Sequence, residues 1–347
     1  MLRIDPKLSV GVDAGGTKVH ILDSRSQKLH RFVTANYPDA LALFDDYFSK
    51  IDARPSHVAL AMGGLRDTET GAVEPTNCDW PIFKPKEAEK RYPGTRFTTA
   101  NDMVAAMAGV LVAKSGDLLV VKSGRAAEKG TKVVVTISTG INTCVAIWDE
   151  YSHRRIFMEA EAGHAGFQPR NEAHMHHLTH QQGKFKYPSI ETALSGRFGV
   201  ESWVEHSPEI KGAKELKHSI DLAIENGRPV GAVLLEYATE SKGASKAAAH
   251  AILENMGSLV ANILGDYALV YKATGGIYLV GSVSLALAEY WAKQASFEKS
   301  FIRKGTKEHA PWMEGFFSDL PIYLATDPHI AAAGALALAQ EQASLSA

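Results

Sequence analysis

Several features that would restrict the function of this chain are scarce or missing. It has only two cysteines, Cys78 and Cys144, which lie far apart and form no C-x-x-C pair. A disulfide framework is therefore not indicated, and a reducing cytoplasm is the simplest setting. Residues 1–7 contain no apolar core of signal-peptide length, and no apolar run approaches the length of a membrane span. The formal net charge of −2 gives no electrostatic attraction to nucleic acid or to an anionic membrane.

What the chain does have is enough length and apolar content for two folded domains. Its 347 residues exceed one typical domain, and 45% of them are hydrophobic. We therefore expect a cytoplasmic globular protein with sizeable cores. We expect no nucleic-acid partner and no membrane partner.

A glycine turn near the amino end is the first motif that suggests chemistry. Val10 and Val12 alternate with small residues before it, and apolar residues resume at Val19, so the pattern predicts strand, turn and strand. Gly15 and Gly16 permit positive φ in the turn, and its successive N–H groups can form an anion-sized concavity. Thr17 adds a hydroxyl and Lys18 adds a positive charge, both of which suit a phosphate. Asp13 adds a carboxylate that could bind the accompanying metal ion. A phosphate-binding hairpin and an ordinary glycine hairpin fit this stretch equally well.

A second copy of the pattern favours the phosphate interpretation. Residues 133–149 form an apolar run that is interrupted by Thr139-Gly140. Two such units, each opening a domain, predict a duplicated α/β architecture with a ligand between the halves.

The segments between and after the two hairpins also read as alternating strands and helices. Asp102 is expected where the strand over 97–100 passes into the helix over 103–112, the kind of junction at which open α/β sheets place ligands. Residues 113–132 read as a polar connector, in which Ser123 to Lys132 lacks the spacing of a phosphate-binding P-loop. The other predicted elements are helices over 38–51, 81–95, 215–240, 245–267 and 331–340, and strands over 57–62, 275–284 and 321–326.

Taken together, Asp13-x-Gly-Gly-Thr17 and the later Thr139-Gly140 turn resemble the sugar kinases of the actin-like ATPase superfamily, and more narrowly the bacterial ATP-dependent glucokinases. The resemblance implies an α/β, two-domain, actin-like ATPase (ribonuclease H-like) fold with a central cleft. We expect a small domain over 1–105, completed by a C-terminal helix over 331–347, and a large domain over 106–330. It also implies ATP and Mg²⁺ as cofactors, a small sugar as substrate and a homodimer.

The same resemblance assigns roles to residues. It implies that Asp102 is the general base that takes the proton of the sugar hydroxyl. The residues implied to bind the sugar are Thr76, Asn77, Asn101, Asp102, Glu161, His164 and Glu191. Those implied to bind the nucleotide are Asp13, Gly15, Gly16, Thr17, Lys18, Thr139, Gly140, Gly276, Gly281 and Ser282, with Asp13 also at the metal. On the residues alone, a cap on the following helix is the better explanation of Asn101-Asp102, and it is the resemblance that reverses this preference.

Two departures from the family pattern leave the substrate open. The second phosphate turn of the family is usually Gly-Thr-Gly-Leu-Gly, whereas this chain has Ser138-Thr-Gly-Ile-Asn142. The family's Glu-Gly-Gly-His element appears here with Ala162 in place of a glycine. Glucose is the expected substrate, and another hexose, an amino sugar or a cyclitol is the alternative. A non-catalytic sugar-binding regulator is a further alternative, which the complete set of site residues disfavours.

A run of histidines raises a separate possibility. His176 and His180 are spaced i, i+4, which could chelate a metal on one face of a helix, and His174 and His177 lie beside them. Related ROK-group sugar kinases hold zinc in this region with a histidine and three cysteines, but this chain has no cysteine here. We therefore expect a solvated helix face rather than a metal site.

Overall fold

The chain divides into two compact units. In the computed structural model, which describes residues 2–196, 198–302 and 312–346, the units are Met1–Ser115 with His329–Ala347, and Gly116–Pro328. The strands in chain order are β1 (Ile4–Ala14), β2 (Lys18–Asp23), β3 (Leu29–Val33), β4 (Arg54–Met62), β5 (Gly64–Arg66), β6 (Val73–Pro75), β7 (Arg96–Ala100), β8 (Leu118–Lys122), β9 (Lys132–Ile137), β10 (Ile141–Asp149), β11 (Arg154–Ala160), β12 (Ile277–Val280) and β13 (Ile322–Ala325). The helices are α1 (Ala40–Ile51), α2 (Pro85–Arg91), α3 (Asp102–Val112), α4 (Glu172–Lys184), α5 (Ile190–Leu194), α6 (Gly199–His206), α7 (Lys214–Glu225), α8 (Val230–Glu240), α9 (Gly243–Val270), α10 (Ser282–Ala292), α11 (Ala295–Ile302), α12 (Trp312–Asp319) and α13 (Ile330–Ser346).

The two units repeat one sheet topology. The first unit has the strand order β3-β2-β1-β4-β7, and the second has β11-β10-β9-β12-β13-β8. In the first sheet, β1 is antiparallel to β2 and parallel to β4. In the second sheet, β9 is antiparallel to β10 and parallel to β12. The second sheet adds only β8, which is antiparallel to β13 at the edge. The predicted α/β class and the duplication are therefore confirmed.

The prediction of a wholly polar connector over 113–132 is wrong. The apolar residues Leu118 to Val121 form strand β8, whose register along β13 starts at the pair Ala325 and Leu118. Val120 is 52% exposed, as expected for an edge strand, and the surrounding Lys and Gly residues hid this short run from the sequence pattern.

Each unit has its own apolar core. In the first, α1 buries Phe44, Tyr47 and Phe48 at helical spacing, and Phe44 packs against Phe97 of β7. In the second, α9 buries residues on most of its faces, including Met256 and Leu259. No helix in the described part of the chain is long and apolar enough to cross a bilayer.

The C-terminal helix α13 packs within the first unit through three glycines. A Cβ atom on Gly334 would overlap with the carbonyl oxygen of Ala105 in α3, and one on Gly109 would overlap with the carbonyl oxygen of Ile330. A Cβ on Gly11 of β1 would overlap with the backbone nitrogen of Leu336. Helix and sheet backbones therefore meet directly, without side chains between them.

The histidine run on α4 is half buried, so the expectation of a solvated face is wrong for two of its members. His174 and His177 are fully buried, whereas the side chain of His176 is 63% exposed. The His174 ring lies with Nε2 2.8 Å from the Ser258 hydroxyl, and the His177 ring stacks on Trp203 with centroids 3.9 Å apart. Among the residues that the structure describes, no group of three or more His, Cys, Asp or Glu could hold a metal ion. His174 and His177 serve packing.

The burial of these histidines predicts loss of stability in mild acid. Burial lowers the pKa of His174 to about 4 and that of His177 to about 3. Both rings stay neutral in the folded protein, while the unfolded chain binds protons below about pH 6.5. Their stabilising contribution is complete above that pH and falls as the pH drops towards 4. At about pH 5, each buried histidine should lower the free energy of unfolding by about 2 kcal/mol relative to its value at neutral pH.

Urea unfolding at about pH 7.5 and about pH 5 measures this difference. His177→Gln should flatten the dependence on pH, and His176→Gln on the exposed side of the same helix is the matched control. An unchanged dependence on pH in both His177→Gln and His174→Gln would contradict the assignment.

The glycine packing of α13 predicts opposite effects for one substitution at two helical sites. Gly334→Ala should lower the free energy of unfolding by about 2 kcal/mol or more, because the new methyl group overlaps with α3. Gly183→Ala in α4 meets nothing within 4 Å and should stabilise the protein by about 0.5–1 kcal/mol. Chemical denaturation of both variants checks this, and equal effects would contradict the packing argument.

Candidate functional site

In the first unit, three parallel strands bring the predicted residues to one edge of the sheet. Ala14 of β1 pairs with Met62 of β4, and Ala61 pairs with Ala100 of β7. The carboxyl ends of these strands therefore lie side by side. This is the edge at which open α/β sheets bind ligands.

The first turn (residues 15–17) is held at both ends by hydrogen bonds. The Gly15 N–H donates to the Lys18 carbonyl at 3.0 Å, and the Thr34 hydroxyl donates to the Gly15 carbonyl at 2.8 Å. Thr17 and Lys18 are exposed. Neither glycine has a positive φ, so the expected reason for the pair is wrong. Gly16 is required instead because a Cβ would overlap with the Asn77 carbonyl oxygen.

Asp13 lies on β1 beside this turn. It pairs in register with His20 of β2, and its Oδ2 atom lies 3.6 Å from His20 Nδ1. The Asp13 side chain is 22% exposed, so a carboxylate oxygen is accessible next to the turn. An oxygen donor of this kind fits Mg²⁺, which takes one or two carboxylates together with phosphate and water oxygens.

Asn101 and Asp102 begin helix α3 at the end of β7. Asn101 is the N-cap, and its Oδ1 accepts a hydrogen bond from the Met103 N–H at 2.8 Å. Asp102 Oδ1 accepts from the same N–H at 2.8 Å. The capping alternative is therefore correct for Asn101. The cap uses Oδ1 and not the amide N–H groups of this side chain. Asp102 is in the first turn of the helix rather than at the cap.

Asn77 and Asp102 meet at Gly63, the residue that follows β4. A Cβ on Gly63 would lie 2.7 Å from Asn77 Nδ2 and 3.2 Å from Asp102 Oδ2. The Thr76 N–H donates to the Gly63 carbonyl at 3.2 Å, which fixes this loop to the strand end. The structure thus brings Thr76, Asn77 and Asp102 together around one glycine. Sequence reasoning missed Gly63, although the Gly63-Gly64 pair after an apolar strand was a visible signal.

A cavity of about 450 Å³ adjoins this cluster within the first unit. Trp80 forms part of its wall, held by a hydrogen bond from its indole N–H to the Tyr37 carbonyl at 2.8 Å. The lining residues are Gly16, Thr34, Ala35, Tyr37, Pro38, Thr76, Asn77, Cys78, Asp79 and Trp80.

In the second unit, the second turn (residues 138–140) follows β9 as the first turn follows β1. The Ser138 N–H donates to the Gly140 carbonyl at 2.9 Å, and the Ser138 and Ser282 hydroxyls lie 3.0 Å apart. Gly281, with a φ of 94°, lies against Ile137 and Thr136 at the end of β9. Thr139, Gly140, Gly281 and Ser282 are therefore at one strand edge.

Gly276 does not belong to this group. It precedes β12 and Gly281 follows it, so roughly 16 Å of strand separates the two glycines. Its neighbours are Pro321 and Tyr278. The structure therefore places Gly276 at the amino end of β12 and does not bring it to the strand edge at which Gly281 lies.

Two carboxylates are hydrogen-bonded to the residues that follow the second turn. Glu191 Oε2 accepts from the Ile141 N–H at 2.9 Å, and Glu161 Oε2 accepts from the Asn142 amide at 2.8 Å. His164 Nε2 lies 3.9 Å from the same Glu161 oxygen. The structure thus brings Glu161, His164 and Glu191 beside Thr139 and Gly140. The role of Asn142 was missed, since the sequence argument treated it only as a lost glycine.

Comparison with known proteins shows which proteins this chain resembles. The chain is 24% identical over 323 residues to a glucokinase of Chromohalobacter salexigens, covering 91% of this chain and 92% of that protein. A crystal structure of a glucokinase from an Antarctic psychrotroph matches with a TM-score of 0.77 and 20% identity, covering 96% of this chain and 99% of the other. A ROK family glucokinase from Streptomyces griseus, solved with glucose and AMPPNP, matches with a TM-score of 0.62 and 19% identity over 96% and 99% of the two chains.

The family model described as glucokinase matches residues 10–342, which include both turns and each candidate site residue. The resemblance inferred from the motifs is confirmed: this chain belongs to the glucokinase family of sugar kinases.

Proposed function

We propose that this protein transfers the γ-phosphoryl group of ATP to a hexose, glucose being the first candidate, to give hexose 6-phosphate and ADP. The observation that supports this most directly is the cluster of Asn77 and Asp102 around Gly63, at the carboxyl edge of the first sheet. Family membership supports the reaction type.

Asp102 acts as the general base in this proposal. Its Oδ1 accepts from the Met103 N–H, and in this proposal Oδ2, the oxygen beside Gly63 and Asn77, accepts the proton of the sugar hydroxyl. A carboxylate is a weak base, but it is adequate because the hydroxyl loses its proton only as the new P–O bond forms. Asn101 donates from its amide to a neighbouring hydroxyl, since its carbonyl oxygen is occupied as the cap.

The two turns are assigned to the nucleotide phosphates. The first turn presents the exposed residues Gly16, Thr17 and Lys18, and the second presents Thr139, Gly140 and the neighbouring Ser282. Asp13 would hold Mg²⁺, which neutralises phosphate charge when bound.

The sugar is recognised by carboxylate, imidazole and amide groups in this proposal. Glu161, His164 and Glu191 of the second unit and Thr76 and Asn77 of the first supply donors and acceptors for adjacent hydroxyls. A polar site of this kind discriminates strongly against analogues that lack a hydroxyl. The homodimer and the cytoplasmic location expected from the sequence stay predictions.

A kinase for another polyhydroxylated ring is the second candidate function. It is favoured by one observation: Asn142, where the family usually has glycine, contacts the Glu161 carboxylate directly. A coupled assay of ADP release across hexoses, amino sugars and cyclitols separates the candidates. The substrate is the compound with the highest kcat/KM, and turnover of none of them would count for the regulator.

The base assignment predicts how two variants of Asp102 behave. Asp102→Ala and Asp102→Asn should each lower kcat by about 10² or more, because both remove the proton acceptor. Affinity for the sugar should fall only modestly, since the other polar contacts remain. Steady-state kinetics and sugar calorimetry measure the two effects.

The matched control is Asp39→Asn, which changes a carboxylate that caps α1 by accepting from the Ala42 N–H. Asn caps about as well as Asp, so this variant should retain full turnover. Near-normal turnover in Asp102→Asn would show that Asp102, like Asp39, only supports a helix end.

The position of Cys78 in the wall of the first-unit cavity predicts that chemical labelling of its thiol reports on ligand binding. Cys78 lines the cavity and is partly exposed, whereas Cys144 is fully buried and burial raises its pKa to about 12. A thiol reagent should therefore modify Cys78 first, and a bound sugar should slow the reaction because Asn77 lies beside it. Mass spectrometry identifies the labelled residue, and Cys78→Ser should remove the fast phase. Equal labelling of both thiols, or no protection by a sugar that is turned over, would contradict this placement.

A further inference from the structure

Asn142 and Glu161 are cross-strand neighbours at the end of the β10 and β11 ladder. The two strands are antiparallel, and the pair Thr143 and Ala160 is the last of the ladder. One step further along each strand places Asn142 opposite Glu161. The contact between them is therefore set by strand register.

The orientation of the Asn142 amide is fixed by its own backbone surroundings. The Thr143 N–H donates to Asn142 Oδ1 at 3.0 Å, so Oδ1 is the acceptor end of the amide. Asn142 Nδ2 then faces Glu161 Oε2 at 2.8 Å. A hydrogen bond from an amide to a carboxylate is charge-assisted and stronger than one between neutral groups.

The backbone of the acidic loop (residues 161–164) is anchored independently of Asn142. A Cβ on Gly163 would overlap with the Ile141 carbonyl oxygen, so the two backbones are in direct contact. The buried Tyr267 hydroxyl donates to the Ala162 carbonyl at 3.1 Å. The Glu161 side chain, in contrast, is 69% exposed and would sample several rotamers without a partner.

We propose that Asn142 is a positioning residue for sugar recognition, which holds one oxygen of Glu161 so that the other accepts from a sugar hydroxyl. This inference rests on the proposed function, because it takes Glu161 to bind the sugar. A glycine in place of Asn142 has no side chain to donate this bond. The same residue directly follows the segment that binds Glu191, so both carboxylates are positioned from the strand that leaves the second turn.

A double-mutant cycle tests the proposal on the intact protein. Asn142→Ala should raise the KM for the hexose about tenfold, the size expected from losing a charge-assisted hydrogen bond. Its kcat and its KM for ATP should stay within about twofold of the wild-type values, because only ground-state orientation changes. In a Glu161→Ala background, Asn142→Ala should have no further effect on the hexose KM.

Asn226→Ala is the matched control. Asn226 is also in the second unit, and its amide only donates to the Leu222 carbonyl at the end of α7. This variant should leave all three kinetic constants unchanged. Thermal melting of each variant shows that it is folded.

Asn142→Asp places two carboxylates together. This variant should therefore raise the hexose KM further than Asn142→Ala does.

The outcomes separate this inference from the proposed function. An equal rise in hexose KM in the wild-type and Glu161→Ala backgrounds overturns the inference, since the effect would not pass through Glu161. A rise confined to the KM for ATP also overturns it, because Asn142 would then serve the phosphate turn. If the wild-type protein neither turns over nor binds any sugar in calorimetry, the proposed function fails and the inference fails with it.

Discussion

The register between neighbouring strands is the constraint on which the candidate site residues of each unit depend. Pairing of Ala14 with Met62 brings the first turn level with Gly63, and pairing of Ala61 with Ala100 adds the start of α3. A slip of one residue would turn every side chain of a strand to the other face. Asp102 would then no longer lie beside Asn77. The apolar residues that fix this register, such as Val12 and Leu60, are fully buried, so the core determines where the polar residues meet.

Glycine contributes to the site mainly by allowing backbones to approach. Gly16 meets the Asn77 carbonyl and Gly163 meets the Ile141 carbonyl, and in both places any Cβ would overlap with a backbone oxygen. Neither residue has a positive φ. From sequence, a glycine pair is most simply explained by turn geometry. The contact that requires the glycine is made by a residue distant in the chain, so no local pattern could reveal it.

The sequence predicted those elements whose pattern is local. Helix α1 and the strand pair β9 and β10 were expected because their apolar spacing is clear, and so was the duplication. Most of the residues that the structure brings to the two strand edges were also named from the motifs, and their roles stay predictions. The burial of His174 and His177 could not be read from α4, because its inward face is polar and is satisfied by Ser258 and by the Ala193 carbonyl. The position of Gly276 at the amino end of β12 could not be predicted either, because a glycine motif does not show which end of a strand it occupies.

The duplicated topology also places a polar residue at one corresponding position in each copy. His20 is opposite Asp13 on the first strand of its sheet, and Asn142 is opposite Thr136 on the first strand of the other. Both follow the turn of their hairpin by the same step, one residue after the pair that closes the hairpin. Both direct a polar group at a carboxylate: His20 at Asp13, and Asn142 at Glu161, which directly follows the third strand. The second strand of each hairpin therefore carries a polar contact to an acidic side chain, in addition to pairing with the first strand. Its polar residue lies between the core strand and the outer strand, and from there it contacts an acidic side chain.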